Sequence, residues 1–556
     1  MLKPLSIIAL LLAAGAVAAQ PATPAGAGKI KVKTKPGKGS SVAAKAADWS
    51  LPYAASITPA GLQQDLSVLA SDAYEGRKTG EKGQKMAADY LRQAFTADGL
   101  TGPVPNSASP YLQQFTLNRV APGASIKVGS RTFFVNKDYY LLLRDAATLG
   151  AELHPIFIGY GISTAGYADF APTNATLKGQ DLVMLLGEPL SPAGQPLLGK
   201  AGQASDYGTA GFTEMMARSP AIRALAPRST IRIAPSAAVF AQVPDLYKPM
   251  FEHHERISFP GEPAEAGTGS NVFIVSPEMG AAILGTTVGG LANYRNAVPD
   301  GAKPVPSLFM PVAMQPIELK ETLKTENVLG YLEGTDKKAE VLVLMAHYDH
   351  VGTQNGVVFN GADDDGSGTA SVLALARAFA QAKKDGHGPR RSILFLANTG
   401  EEIGLLGSRY YTDHPVLPLE STVAALNIDM LGRVDSLHTG KGDYVYVVGD
   451  DRLSTELRAL SEATNQHYHP LALDYQYNDP KDPTHLYTRS DHFNFARHNV
   501  PAIFYTSGLH ADYHQPTDDV DKIDFPVLAR RTQLVFHTAW TLANREARIA
   551  VDAAKP

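Results

Sequence analysis

The chain contains no cysteine. Disulfides, cysteine-linked lipid anchors and thiolate metal ligands are therefore excluded, and any metal must be held by histidine and carboxylate. A basic stripe is also missing. The formal net charge is −5 at pH 7, nearly balanced for 556 residues, which argues against a nucleic-acid partner. The apolar run at 7–12 is too short to span a bilayer, so no membrane association beyond export is expected. The remainder is ordinary globular composition, at a length that allows about two to four domains.

Residues 1–19 read as a secretory signal. Lys3 supplies the positive start, Ile7 to Leu12 the apolar core, and Ala16-Val17-Ala18 a small-residue cleavage site. A bacterial periplasmic or secreted protein is expected on this reading. Residues 20–48, rich in Ala, Gly, Pro, Ser and Lys, read as a flexible linker. Structure is expected from Trp49. Thr58-Pro59 is an N-cap with proline at the first helical position, and Leu62, Leu66 and Leu69 mark one face. A second helix carries Ala87, Tyr90, Leu91, Ala94 and Phe95 and stops at Gly99. Glu75-Gly76-Arg77, between them, reads as a turn without a catalytic role.

From about Val120, short β-rich runs alternate with glycine and proline, at 125–128, 132–135, 139–143, 155–158 and 181–186. Residues 121–320 are thus expected to form an inserted, largely β module. Ser276-Pro277-Glu278 opens a helix in it, and His253-His254-Glu255 reads as a solvated run. Residues 49–120 and 321–556 form the surrounding domain. In the latter, strands at 327–332, 341–346, 392–397, 423–428, 444–448 and 502–505 alternate with helices such as 370–382 and 452–464. This predicts an α/β fold, a mostly parallel mixed sheet flanked by helices. Sites in such sheets form beyond the carboxyl ends of strands.

Four strand ends carry chemistry. The run 341–346 ends in His347-Tyr348-Asp349, where a period of two puts the imidazole and Asp349 on one face. A carboxylate so placed can hold a metal-ligating histidine. Gly361-Ala362-Asp363-Asp364-Asp365-Gly366-Ser367-Gly368 follows. It is not an EF-hand loop: aligning Gly366 with the loop glycine puts Gly361 at the first ligand and Val372 at the closing glutamate. The other ends carry Glu401-Glu402, Asp429 and Asp512-Tyr513-His514. Charge counting suits two divalent ions. Asp364, Glu402, Asp429 and a bridging hydroxide balance two Zn²⁺, with His347 and His514 completing the shells; cobalt or manganese could substitute. Glu401 is left over as candidate general base.

These motifs together resemble the signature of the secreted double-zinc aminopeptidases, carried here by His347-Tyr348-Asp349-His350-Val351-Gly352, residues 361–368, Glu401-Glu402, Asn427-Ile428-Asp429-Met430 and Tyr513-His514. Relatives in that peptidase family include glutamate carboxypeptidase, glutaminyl cyclase and the transferrin receptor ectodomain. The insertion resembles a protease-associated domain, through Phe157-Ile158-Gly159-Tyr160-Gly161-Ile162 and Lys178-Gly179-Gln180-Asp181-Leu182-Val183.

The resemblance implies that His347 and Asp429 bind one zinc and Glu402 and His514 the other, with Asp364 bridging. It implies that Asp349 orients His347, and that Glu401 deprotonates the shared water and hands the proton to the leaving amine. Tyr513 is the candidate for stabilising the tetrahedral oxyanion. Ser490-Asp491-His492 resembles a family segment near the pocket, or else Ser490 is an N-cap. The implied activity is an exopeptidase acting on the N-terminal bond of peptides with a free amino end. The insertion is expected to roof the cleft partly and restrict substrates to short peptides. A carboxypeptidase of the same fold, a one-zinc glutaminyl cyclase-like transferase and a non-catalytic receptor-like ectodomain are the alternatives, and oligomeric state is left open.

Overall fold

The computed structural model describes residues 47–553 except 143–150, 192, 201–202, 210, 248–255, 263–269, 297–308, 355 and 469. The expected leader, nearly all of the expected linker, and His253-His254-Glu255 lie outside the described residues. A ten-stranded mixed sheet organises the rest. At one end, strand β1 (Leu112–Val128) pairs antiparallel with β2 (Met314–Leu332), from Leu112 opposite Val328 to Val128 opposite Met314. The centre is parallel: β3 (Lys337–His347) lies between β4 (Arg391–Asn398) and β5 (Thr422–Ile428). Beyond β5, β7 (Ala502–Thr506) continues the parallel set, and β6 (Tyr444–Val448) pairs antiparallel with it.

The central strands are apolar throughout because both sheet faces are covered. Along β3 the side chains alternate between two cores. Leu342, Leu344 and Ala346 join a cluster with Leu62, Leu66, Leu91, Phe95, Phe379 and Phe536. Val341, Val343 and Met345 join one with Leu396, Tyr411 and Phe495 on the opposite face. Each fully buried Leu, Val or Phe contributes about 1.5–3 kcal/mol relative to an exposed one.

Helices α1 (Pro59–Leu69) and α2 (Lys82–Asp98) pack on the first face with α3 (Gly368–Lys384) and α4 (Phe525–Asn544). Thr58 caps α1 by accepting from the Gly61 N–H, and α2 ends where Gly99 turns left-handed at φ 84°. Both ends follow the sequence signals.

Residues 129–313, between β1 and β2, build a second sheet of five strands in the order Tyr139–Leu142, Asn271–Val275, Ser229–Ile233, Asp181–Leu185, Pro155–Phe157. Its last four strands are parallel, and helices Phe212–Ala224 and Pro277–Ile283 accompany it. It has its own core, including Tyr139, Val183, Ile231, Phe273 and Met279. Two segments of this stretch reach the first sheet, Arg131–Phe134 pairing with the end of β1 and a second one near 256–262. Arg256–Ser258 pairs with β1, Phe259 joins Phe115 and Tyr410, and Glu262 bonds Arg409.

Candidate metal centre

Every expected ligand stands at a carboxyl end of the parallel strands or in the loop that follows one. His347 closes β3, and Asp364 lies in the turn before α3. Glu401 and Glu402 follow β4, and Asp429 follows β5. The loop after β7 supplies Tyr513 and His514. Parallel strands end together, so residues far apart in sequence converge at one mouth.

The donors form two neighbouring groups that share Asp364. His347 Nε2 lies 3.4 Å from Asp364 Oδ1, 3.7 Å from Asp429 Oδ1 and 3.9 Å from Glu401 Oε2. His514 Nε2 lies 3.0 Å from Asp364 Oδ2 and 2.9 Å from Glu402 Oε2. A tetrahedral ion with bonds of about 2.1 Å keeps its ligand atoms about 3.4 Å apart, so both groups have suitable spacing. His350, to which sequence reasoning assigned no role, also enters: its Nδ1 is 2.7 Å from Glu402 Oε1 and 3.8 Å from Asp364 Oδ2.

The donor set fits a metal. His347 Nε2, His514 Nε2 and Asp364 Oδ2 are buried, face one another, and lack an aligned hydrogen bond among the described residues. Buried polar atoms left in that condition are costly unless a cation satisfies them. The charges are strongly coupled. Burial opposes charging of His347, but Glu401 and Asp429 outweigh it and hold its pKa well above the usual imidazole value. Burial likewise opposes a charged His514, yet Glu402 and Asp364 bring it up to about 10. Burial and Asp364 raise the pKa of Glu402, but His350 and His514 prevail and bring it to about 2. Burial pushes Glu401 well above the carboxylate range against the pull of His347, with Asp429 and Glu402 adding to the rise.

Outside the donors, the three consecutive aspartates divide their work. Asp363 Oδ1 accepts from the Gly432 N–H at 2.6 Å, which ties this turn to the one after Asp429. Asp365 Oδ1 accepts from the N–H groups of Gly368 at 2.8 Å and Met430 at 3.1 Å. Only Asp364 faces His347 and His514; Asp363 Oδ2 lies 3.3 Å from His510 Nε2. Ser490 donates to Asp429 Oδ2 at 2.6 Å and makes no N-cap bond, so it holds the carboxylate. His347 Nδ1 sits 3.1 Å from the backbone carbonyl of Asp349 and 3.7 Å from its carboxylate. The Asp349 carboxylate accepts instead from Thr79 at 2.7 Å and from the Glu401 N–H at 3.3 Å, so it also positions the Glu401 backbone.

Arg77 has a structural role at this site that its neighbours in sequence do not announce. It is 1% exposed and donates to the carbonyls of Tyr348 (2.8 Å), Asn360 (2.7 Å), Gly361 (2.9 Å) and Leu69 (2.7 Å). One guanidinium thereby joins the loop after His347 to the turn before Asp364. Gly76 makes the approach possible. It has φ 65°, and a Cβ there would fall 2.4 Å from the Phe359 carbonyl oxygen. A small recess of about 30 Å³ opens beside the centre, lined by Asp364, Glu401, Asp429, Met430, Phe504 and Tyr513 among others.

Fold and site define an α/β protein with two neighbouring histidine–carboxylate groups that could hold metal. Residues 327–539 match the sequence model of peptidase family M28, and all the donors above lie within them. This part of the chain is similar to that family. An aminopeptidase from Aneurinibacillus sp. strain AM-1 shares the fold, with a TM-score of 0.50 and 16% identity over 91% of this chain and 100% of that one. A leucine aminopeptidase 2 from Arthroderma otae is 30% identical over 258 residues, 44% of this chain and 48% of that protein. A vacuolar membrane protease from Candida dubliniensis is 39% identical over 92 residues, 16% of this chain and 9% of that protein. The chain thus matches less than half the length of these curated relatives.

The expected bacterial periplasmic or secreted location is corrected by these comparisons. Several similar proteins are fungal and named for the vacuolar membrane. The N-terminal pattern of charge, apolar run and small residues is shared by many export leaders and does not identify a compartment. Among the described residues no helix is long and apolar enough to cross a membrane.

Proposed function

We propose that the chain is a metallo-aminopeptidase that releases the first residue of short peptides with a free amino end. The observation that carries this is the convergence of His347, Asp364, Glu402, Asp429 and His514, with Glu401 3.9 Å from His347, at one sheet mouth. Two zinc ions would suit the two donor groups: His347 and Asp429 would hold one, Glu402 and His514 the other, and Asp364 would serve both. Bound zinc would supply Lewis acidity, polarising a carbonyl and lowering the pKa of water.

The chain's own residues do the rest. Glu401 takes a proton from the attacking water and passes it to the leaving amine. Tyr513 stacks on His514 with ring centroids 3.9 Å apart. Its hydroxyl accepts from Arg489, leaving its own hydrogen free to donate toward a developing oxyanion. Asp349 and Ser490 keep Glu401 and Asp429 in place. The inserted stretch is proposed as a protease-associated-like element limiting substrate length. Its segment at 256–262 packs on the helix Leu406–Asp413 that follows Glu402.

The deciding experiment compares peptides with free and acetylated N-termini, with and without a chelator. Amino acid release from the free form alone, abolished by chelation and restored by zinc, is expected. Equal cleavage of both forms would reject the aminopeptidase reading, and chelator-resistant cleavage would reject the metal.

A further inference from the structure

The recess beside the metal centre has an unbalanced lining. Asp364, Glu401 and Asp429 stand on its floor, and the last two are about a tenth exposed, at 11% and 10%. Met430, Leu486, Phe504 and Leu509 make apolar walls. Arg489 is the one cationic side chain in the lining, and it is exposed, so it stands at the mouth. Among the described residues its guanidinium makes a single side-chain hydrogen bond, to the Tyr513 hydroxyl at 3.3 Å. Among the described residues no carboxylate pairs with it there, although carboxylates crowd the floor.

We propose that Arg489 binds the terminal carboxylate of a dipeptide, making dipeptides the preferred substrates. This rests on the peptidase reading above and deepens it. The layout fits a peptide whose amino end lies at the metal-holding floor and whose carboxylate lies at the cation of the mouth. The apolar walls between suit an apolar side chain, so the carboxylate that Arg489 meets is the chain end and not an acidic first residue. A guanidinium engages a carboxylate through two parallel N–H groups, and its remaining donors can keep the Tyr513 contact. Arg489 is in this sense a specificity-determining residue for the substrate's far end.

The test compares kcat/KM for Leu-Gly, Leu-Gly amide and Glu-Gly amide in wild type, Arg489→Gln and Arg489→Lys. Wild type should favour Leu-Gly over its amide at least tenfold. Arg489→Gln should reduce that ratio at least tenfold, mainly through KM, and Arg489→Lys should recover part of it. Thermal unfolding shows whether each variant is folded, and the ratio within one variant cancels loss of active protein. An unchanged ratio in Arg489→Gln overturns the assignment. A selective loss on Glu-Gly amide also overturns it, because the carboxylate bound would be a side chain. If wild type cleaves none of the three, the peptidase reading falls and this inference with it. Cleavage by wild type without a preference for the free carboxylate sinks the inference alone.

Discussion

Replacing Arg77 by alanine should destabilise the protein by about 4 kcal/mol and weaken metal binding roughly 10- to 100-fold. The first figure comes from its four carbonyl partners, Tyr348, Asn360, Gly361 and Leu69. Stranding a buried acceptor costs about 1–3 kcal/mol. The lower bound is appropriate for each, because water entering the cavity would satisfy some of them and the burial cost of the guanidinium is relieved. Burial lowers the basicity of Arg77, but Asp365, Asp364, Asp349 and Asp518 surround it, so the charge is supported. The second figure follows from loosening the two loops that present His347 and Asp364, as removal of groups orienting ligands commonly does. Urea unfolding of the metal-free protein gives the stability change, and calorimetric zinc titration gives the affinity. Arg77→Lys should lie between, since an ammonium has three donors in place of five. If Arg77→Ala lost less than about 1 kcal/mol and bound zinc normally, the clamp would have no energetic meaning.

Three other substitutions follow from the same geometry. Glu401→Gln should retain metal by elemental analysis yet lose roughly 10²–10⁴-fold in kcat; near-normal turnover would remove Glu401 from the proton-transfer role. Asp364→Ala should lower metal content at both donor groups and cancel the rise in melting temperature that zinc gives the native protein; full occupancy would refute the bridge. Asp98, at the end of α2, is held up to about 6 by burial, above its ordinary 3.8. Its neutral form is favoured in the fold, so its contribution is fully present below about pH 3.8 and lost as pH rises through about 6. Asp98→Asn should therefore stabilise by about 1 kcal/mol at pH 7.5, after discounting for partial exposure, with the gain vanishing near pH 4. A gain independent of pH, followed by denaturant unfolding, would point away from titration of this carboxyl.

The strands, the helices and the main donors were legible in the sequence because they follow local rules. A buried parallel strand is apolar throughout, and its end is abrupt. His347, Asp429 and the Glu401-Glu402 pair each sit where an apolar run stops, which is also where a sheet opens to a ligand. Gly99 and Thr58 act through nearest neighbours, so helix boundaries could be read directly. Tertiary structure alone decided what depends on separate loops meeting. Nothing local to Glu75-Gly76-Arg77 shows that its guanidinium closes on carbonyls some 270 residues away. His350 and Ser490 have ordinary sequence surroundings, and only the registry of β3 against β4 and β5, with the loops above them, brings one to Glu402 and the other to Asp429. Arg489 is the same case. Its charge is visible in the sequence, but its place above three acids is a product of the fold.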